Sequence, residues 1–245
     1  MQRASADSER IPERPRRSPL RCACPRGAAA LLAAALCACA GAPARPPASP
    51  APPARPVECG APAGLRGAPG LAPDAAIDVL VEIPAGTNEK WEADEAGRAL
   101  HHEQLDGRPR VVQYLAYPAN YGMVPCTLLP AGQGGDGDPL DVVVLGPAVA
   151  RGALLHVRPI GVLRLVDDGE RDYKILAVRS RGPLSDVRDL ASLDARYPGV
   201  RAILETWFTH YKGSGRVRSQ GFGDAALARD IVERARRDSE ASRRD

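Results

Sequence analysis

The chain has 245 residues, a formal net charge of +3, 44% hydrophobic and only 4% aromatic side chains. Nine arginines against four acids give residues 1–58 a charge of +5 and leave the remainder near −2. The basic balance therefore belongs to the leader, which argues against a nucleic-acid surface on the rest of the chain.

In chain order, Arg16, Arg17, Arg21 and Arg26 precede an apolar run, Ala28–Leu36. A positive stretch followed by an apolar run too short to span a bilayer reads as an export signal over residues 1–40. Leu36-Cys37-Ala38-Cys39 closes it and resembles a bacterial lipobox, with Cys39 as the lipidated residue of an exported, membrane-anchored lipoprotein. The alternative is an ordinary signal peptide cut near Ala38 or Ala40, giving a periplasmic or secreted protein. Residues 41–73 repeat Pro, Ala and Gly and bury too little to fold, which makes them a tether. Beyond the export signal only Cys59, in the tether, and Cys126, in the domain, remain, with no zinc-like or C-x-x-C spacing, so cysteine carries no catalytic case.

Residues 74–238 read as one domain, with 239–245 as a tail. Ile77, Val79, Val81 and Ile83 alternate with Asp78 and Glu82, predicting a strand with the acids on the far face. Further strands are predicted at 90–92, 110–115, 142–145, 154–166 and 173–178, each bounded by Gly, Pro or Asp. Such spacing without intervening helices predicts a small antiparallel β-barrel. Val200, Ile203, Leu204, Trp207, Phe208 and Tyr211 then fall on one helical stripe, and a second helix is predicted over 224–237.

Asp136-Gly137-Asp138-Pro139-Leu140-Asp141 puts three carboxylates into a turn that enters the apolar run Val142–Leu145. Burying such acids without a counter-charge is costly, and hard oxygen ligands suit Mg²⁺, Mn²⁺ or Ca²⁺. An EF-hand is excluded, because Leu140 and Asp141 stand where that loop wants an oxygen ligand and a glycine. Carboxylate-bound metals commonly hold phosphate, and Lys90, Arg110, Tyr121, Lys174, Tyr211 and Lys212 supply cations and donors at element ends. Asp167 and Asp172 form a second acidic pair, with Asp172 and Lys174 on one face of a strand.

Glu82 to Glu92, Tyr117 to Gly122, Asp136 to Asp141, Gly161 to Lys174 and His210 to Lys212 together resemble, in order, the soluble family I inorganic pyrophosphatases. The resemblance covers about residues 77–222. It implies a five-stranded OB-like barrel with flanking C-terminal helices, an α+β, mainly β fold. The activity implied is Mg²⁺-dependent hydrolysis of diphosphate, with several ions per site and Mn²⁺ or Zn²⁺ as substitutes. It further implies Asp136, Asp141, Asp167, Asp172 and Glu82 as metal ligands and Asp138 as the acceptor of a proton from the nucleophilic water. Lys90, Arg110, Tyr121, Lys174, Tyr211 and Lys212 would bind phosphate oxygens. Arg108 is the rival of Arg110, which is preferred because it leads into a predicted strand rather than sitting in the turn. The expected partners are diphosphate and further copies of the chain, with no nucleic acid, and a membrane only through the lipid anchor. The alternatives are a non-enzymatic barrel binding polyanions and a hydrolase acting more broadly on phosphoanhydrides.

Overall fold

A computed structural model describes residues 76–94, 97–131 and 135–244. The export signal, Cys39, the tether and Cys59 lie outside the described residues.

Seven strands build the main sheet: β1 (Ile77–Ile83), β6 (Asn120–Met123), β7 (Asp141–Leu145), β8 (Leu154–Asp167), β9 (Glu170–Arg171), β10 (Lys174–Arg179) and β11 (Val217–Gly223). Two small hairpins stand beside it, β2 (Trp91–Ala93) with β3 (Leu100–His102) and β4 (Gln104–Leu105) with β5 (Arg108–Pro109). The main sheet runs β1-β6-β7-β10-β8-β11, with β9 on β8. β8 is long enough to serve several partners: Leu154–Val157 pair with β1, and Val162–Asp167 pair with β11.

The sheet is mainly β structure with a few helices, but it departs from a simple five-stranded antiparallel closure. It has seven strands, β11 continues it past β8, and β7 and β10 run parallel. The strand predicted at 110–115 does not form. Only the isolated bridge Glu89↔Val111 stands there, because the chain is committed instead to the β4–β5 hairpin just before it. Asp106 and Gly107 both adopt positive φ at the tip of that hairpin, the geometry of a tight two-residue turn.

Both faces of the central strands are covered, so Val142–Leu145 reads as a continuous apolar run. Val142 and Val144 join one apolar cluster with Ala228, Val232 and Ala235 of α3 (Ala225–Ser242). Val143 and Leu145 join the other, with Leu193 of α1 (Leu190–Arg196) and Leu204, Trp207 and Phe208 of α2 (Val200–His210). α3 runs five residues past the predicted end at Arg237. α1 was not foreseen; it is only two turns, started by a capping box between Asp189 and Ser192.

β1 contains the correction that matters for function. Its second face is solvated only at Asp78: Leu80 and Glu82 are both buried. A bulge between Val81 and Ile83 shifts the register against β6, and Ile83 leaves the cluster of Val79 and Val81 for the one under α2. Gly122 sits where a side chain is impossible, since a Cβ there would lie 1.9 Å from the Leu80 carbonyl oxygen. That close approach brings β1 and β6, hence Glu82 and Tyr121, to one end of the sheet.

Candidate active site

At that end opens a cavity of about 210 Å³. The register explains who meets there. Met123 pairs with Asp141, Ile175 pairs with Val142 in the parallel β10, and β8 ends at Asp167. The first residues of β7 and β10, Asp141 and Lys174, therefore start side by side.

The lining carries seven carboxylates, Glu82, Glu92, Asp136, Asp138, Asp141, Asp167 and Asp172, against four cations, Lys90, Arg110, Lys174 and Lys212. Tyr121 and Tyr211 complete the polar wall. Every predicted metal, phosphate and proton-transfer residue among the described residues lies on this one surface, from elements up to 130 positions apart in sequence (Glu82 to Lys212). Arg110 lines the cavity and Arg108 does not. The argument for Arg110 from a following strand fails, because Arg108 is the one in a strand and Arg110 follows it.

Lys174 is the most buried cation, with its ammonium between Asp141 and Asp172. Burial alone would lower its pKa, but those two carboxylates outweigh burial and hold it well above its ordinary value. Lys212 pairs with one oxygen of Asp167, while the other oxygen, Oδ1, is buried without a hydrogen-bond partner. Glu82 accepts a 2.7 Å hydrogen bond from the Ala93 amide. Burial, then repulsion by Asp141, raises its carboxyl to about 8. Asp138 sits in an exposed loop but still lines the cavity. Desolvation there, with Asp136 and Asp141 nearby, raises its carboxyl above the ordinary value.

Burial also pushes up the phenols of Tyr121 and Tyr211, so both hold their protons at neutral pH and are available as donors. Tyr211 is both a packing and a site residue: its ring stacks on Trp207 at 4.7 Å, and its edge reaches the cavity. Trp207 in turn donates a 2.9 Å hydrogen bond to the Leu115 carbonyl, tying α2 to the segment that enters the Tyr117–Gly122 stretch.

Sequence reasoning missed Glu92, although period-2 alternation from Lys90 already puts the two on one face. Glu92 does accept from Lys90, at 2.7 Å, but lines the cavity. It also missed Tyr117, whose phenol burial pushes up to about 12 and whose ring packs on Tyr121.

The donor set fits divalent cations. With Glu82 holding its proton at neutral pH, six carboxylates against four cations still leave two uncompensated negative charges, and Asp167 of the same surface keeps an orphaned oxygen. Among the described residues no three carboxylates are gathered closely enough to cage an ion as they stand; Lys174 and Lys212 lie among them instead.

The family profile of inorganic pyrophosphatases matches residues 79–240. The inorganic pyrophosphatase of Leifsonia xyli subsp. xyli is 38% identical over 167 residues, 64% of this chain and 92% of that one. An inorganic pyrophosphatase from Neisseria gonorrhoeae, known from its crystal structure, aligns at TM-score 0.57 and 32% identity over 68% of this chain and 92% of its own. A truncated Trypanosoma cruzi vacuolar soluble pyrophosphatase, solved with PPi, shares the fold at TM-score 0.67 and 22% identity, over 80% of each chain. The matched span runs from β1 into α3 and contains the entire cavity lining, and on that footing the chain belongs to the inorganic pyrophosphatase family.

Proposed function

We propose that this cavity is where the chain, an inorganic diphosphatase, hydrolyses diphosphate to two orthophosphates using several Mg²⁺ ions. The observation that carries the reading is the interleaving of seven carboxylates with four cations on one concave surface. A barrel that binds polyanions by charge alone would not carry that acidic excess.

Asp136, Asp141, Asp167, Asp172 and Glu82 would hold the ions. When bound, these supply charge neutralisation for diphosphate and a lower pKa for the attacking water. Lys90, Arg110, Lys174 and Lys212 bind phosphate oxygens, with the Tyr121 and Tyr211 hydroxyls donating to others. Asp138 takes a proton from the water as its oxygen bonds to phosphorus; the bridging P–O bond breaks and the departing phosphate keeps the electron pair. Raising the Asp138 carboxyl makes it a stronger base for that transfer. Phosphate release from diphosphate should require Mg²⁺ after chelator treatment. Asp138→Asn should lower kcat by roughly 10²–10⁴-fold, the usual share of a general base. Full turnover in that variant removes Asp138 from the role.

The same reading takes β1, β6, β7, β10 and β8 as a five-stranded OB-like core, supported by the pairing of β1 with both β6 and β8. It takes the chain as a homo-oligomer, supported by exposed Leu115 and Ile203, which sedimentation of the purified protein tests. It also takes the protein as exported and anchored through a lipid on Cys39. Support comes from the arginine-led apolar run and from Cys126, which is disulfide-bonded, a state that persists in oxidising compartments. Mass spectrometry of the mature N-terminus decides it: an unmodified terminus other than Cys39 ends the lipoprotein reading.

A further inference from the structure

We infer that Glu103, which does not line the cavity, is a positioning residue that sets the spacing of Lys90 and Arg110 for phosphate. The inference rests on the proposed role of those two cations.

Three chain segments meet at this point, at the ends of the short strands, through a ring of backbone hydrogen bonds. The Lys90 amide donates to the Arg110 carbonyl at 3.0 Å, the Arg110 amide to the Glu103 carbonyl at 2.8 Å, and the Glu103 amide to the Lys90 carbonyl at 3.0 Å. The side chains repeat the arrangement. Glu103 Oε1 accepts from Arg110 Nη1 at 2.5 Å, and Oε2 lies 3.6 Å from Lys90 Nζ. Oε2 is buried with no hydrogen-bond partner, and the carboxylate faces both cations, one through each oxygen. Burial pushes this carboxyl up, and Arg110 and Lys90 more than reverse that, leaving it ionised below its ordinary value.

The geometry has a functional consequence. Two like charges facing one small ligand repel each other and splay toward solvent unless an anion behind them holds them in place. Lys90 has a second partner in Glu92, at 2.7 Å. Arg110 pairs instead with Glu103. Its guanidinium is thus pre-oriented before phosphate arrives, which lowers the ordering cost of binding. The arrangement depends on the Asp106-Gly107 turn, because pairing Gln104 with Pro109 and Leu105 with Arg108 brings Glu103 level with Arg110.

The test compares Glu103→Ala with Glu103→Gln in the full chain. KM and kcat for diphosphate are measured alongside the Kd for inorganic phosphate by calorimetry in Mg²⁺. Glu103→Ala should raise KM and the phosphate Kd about tenfold, a 1.4 kcal/mol loss, with kcat within about threefold. Glu103→Gln keeps an acceptor for Arg110 and should recover most of the loss. Unchanged KM and Kd in Glu103→Ala overturn the inference. So does a fall of both in the two variants, which would make the carboxylate only a competitor of phosphate. A merely structural role would lower the urea midpoint of unfolding and leave the constants of the folded protein alone. Should the wild type release no phosphate from diphosphate, the functional reading fails on its own, and the phosphate Kd still judges Glu103.

Discussion

The cavity has a floor and a rim built on different principles. On the floor, Lys174, Glu82 and Tyr121 come from β10, β1 and β6 and are only 3%, 5% and 6% exposed. On the rim, Asp136 and Asp138 sit in an exposed loop, and Lys90 and Arg110 flank short hairpins. Sheet register fixes the floor, so its charges are held whether or not they are compensated well. The rim is held by side-chain pairs and turns. Changing a floor charge should therefore disturb the fold and the chemistry together, while changing a rim charge should reach the chemistry alone.

Lys174→Met tests this division most severely. The substitution leaves Asp141 and Asp172 facing each other in a buried site with no ammonium between them. Removing one partner of a buried ion group costs about 3–5 kcal/mol, to be read as a drop in unfolding free energy in urea. Turnover should fall at least ~10²-fold as a phosphate-facing cation disappears. Mg²⁺ should restore part of the lost stability, because a dication placed there meets the same two carboxylates. A variant as stable as the wild type in chelator would dissolve the distinction between floor and rim.

How much of this was legible beforehand follows the same division. The acidic turn before Val142, the Asp167–Asp172 pair and Lys174 announced themselves, because carboxylates packed against apolar strands are chemically conspicuous. Both late helices were readable from their apolar stripes. What failed was local or depended on distant contacts. Glu82 looked solvent-facing by alternation, yet the β2 segment, whose Ala93 amide bonds its carboxylate, and the bulge after Val81 bury that position as well. β11 and the parallel β7–β10 pair arise from long-range pairing that no window of sequence encodes. The β4–β5 hairpin was legible in principle, since Asp-Gly is a strong turn signal. Overlooking it is what hid Glu103 and misplaced the strand after Arg110.

Glu82 allows a milder test of the floor through pH. Its carboxyl rises from an ordinary 4.5 to about 8 in the folded, metal-free protein. Below pH 4.5 both states hold the proton. Between about 4.5 and 8 the unfolded chain has released it and the folded one keeps it, so stability falls as pH rises through this window. The slope from one such group approaches about 1.4 kcal/mol per pH unit. Glu82→Gln, which stays neutral, should flatten that fall, as measured by urea unfolding in chelator from pH 5 to 8. Equal slopes in the two proteins would place the titration elsewhere.

The smallest expected effect belongs to Arg108, and its smallness is informative. Arg108 opens the short strand β5 and Arg110 follows its end, two residues on, so alternation alone would send them the same way. The strand ends at Pro109, however, and only Arg110 reaches the cavity and the Glu103 carboxylate. Arg108 is exposed, on the solvent side of the hairpin. Arg108→Ala should change stability by no more than about 0.5 kcal/mol, the usual range for a surface substitution, and leave KM for diphosphate within about twofold. Arg110→Ala, measured in the same assay, should raise KM while leaving the urea midpoint near the wild-type value, as a rim charge requires. Reversed behaviour of the two would mean that the hairpin is rotated in solution, and the spacing argument for Glu103 would fall with it.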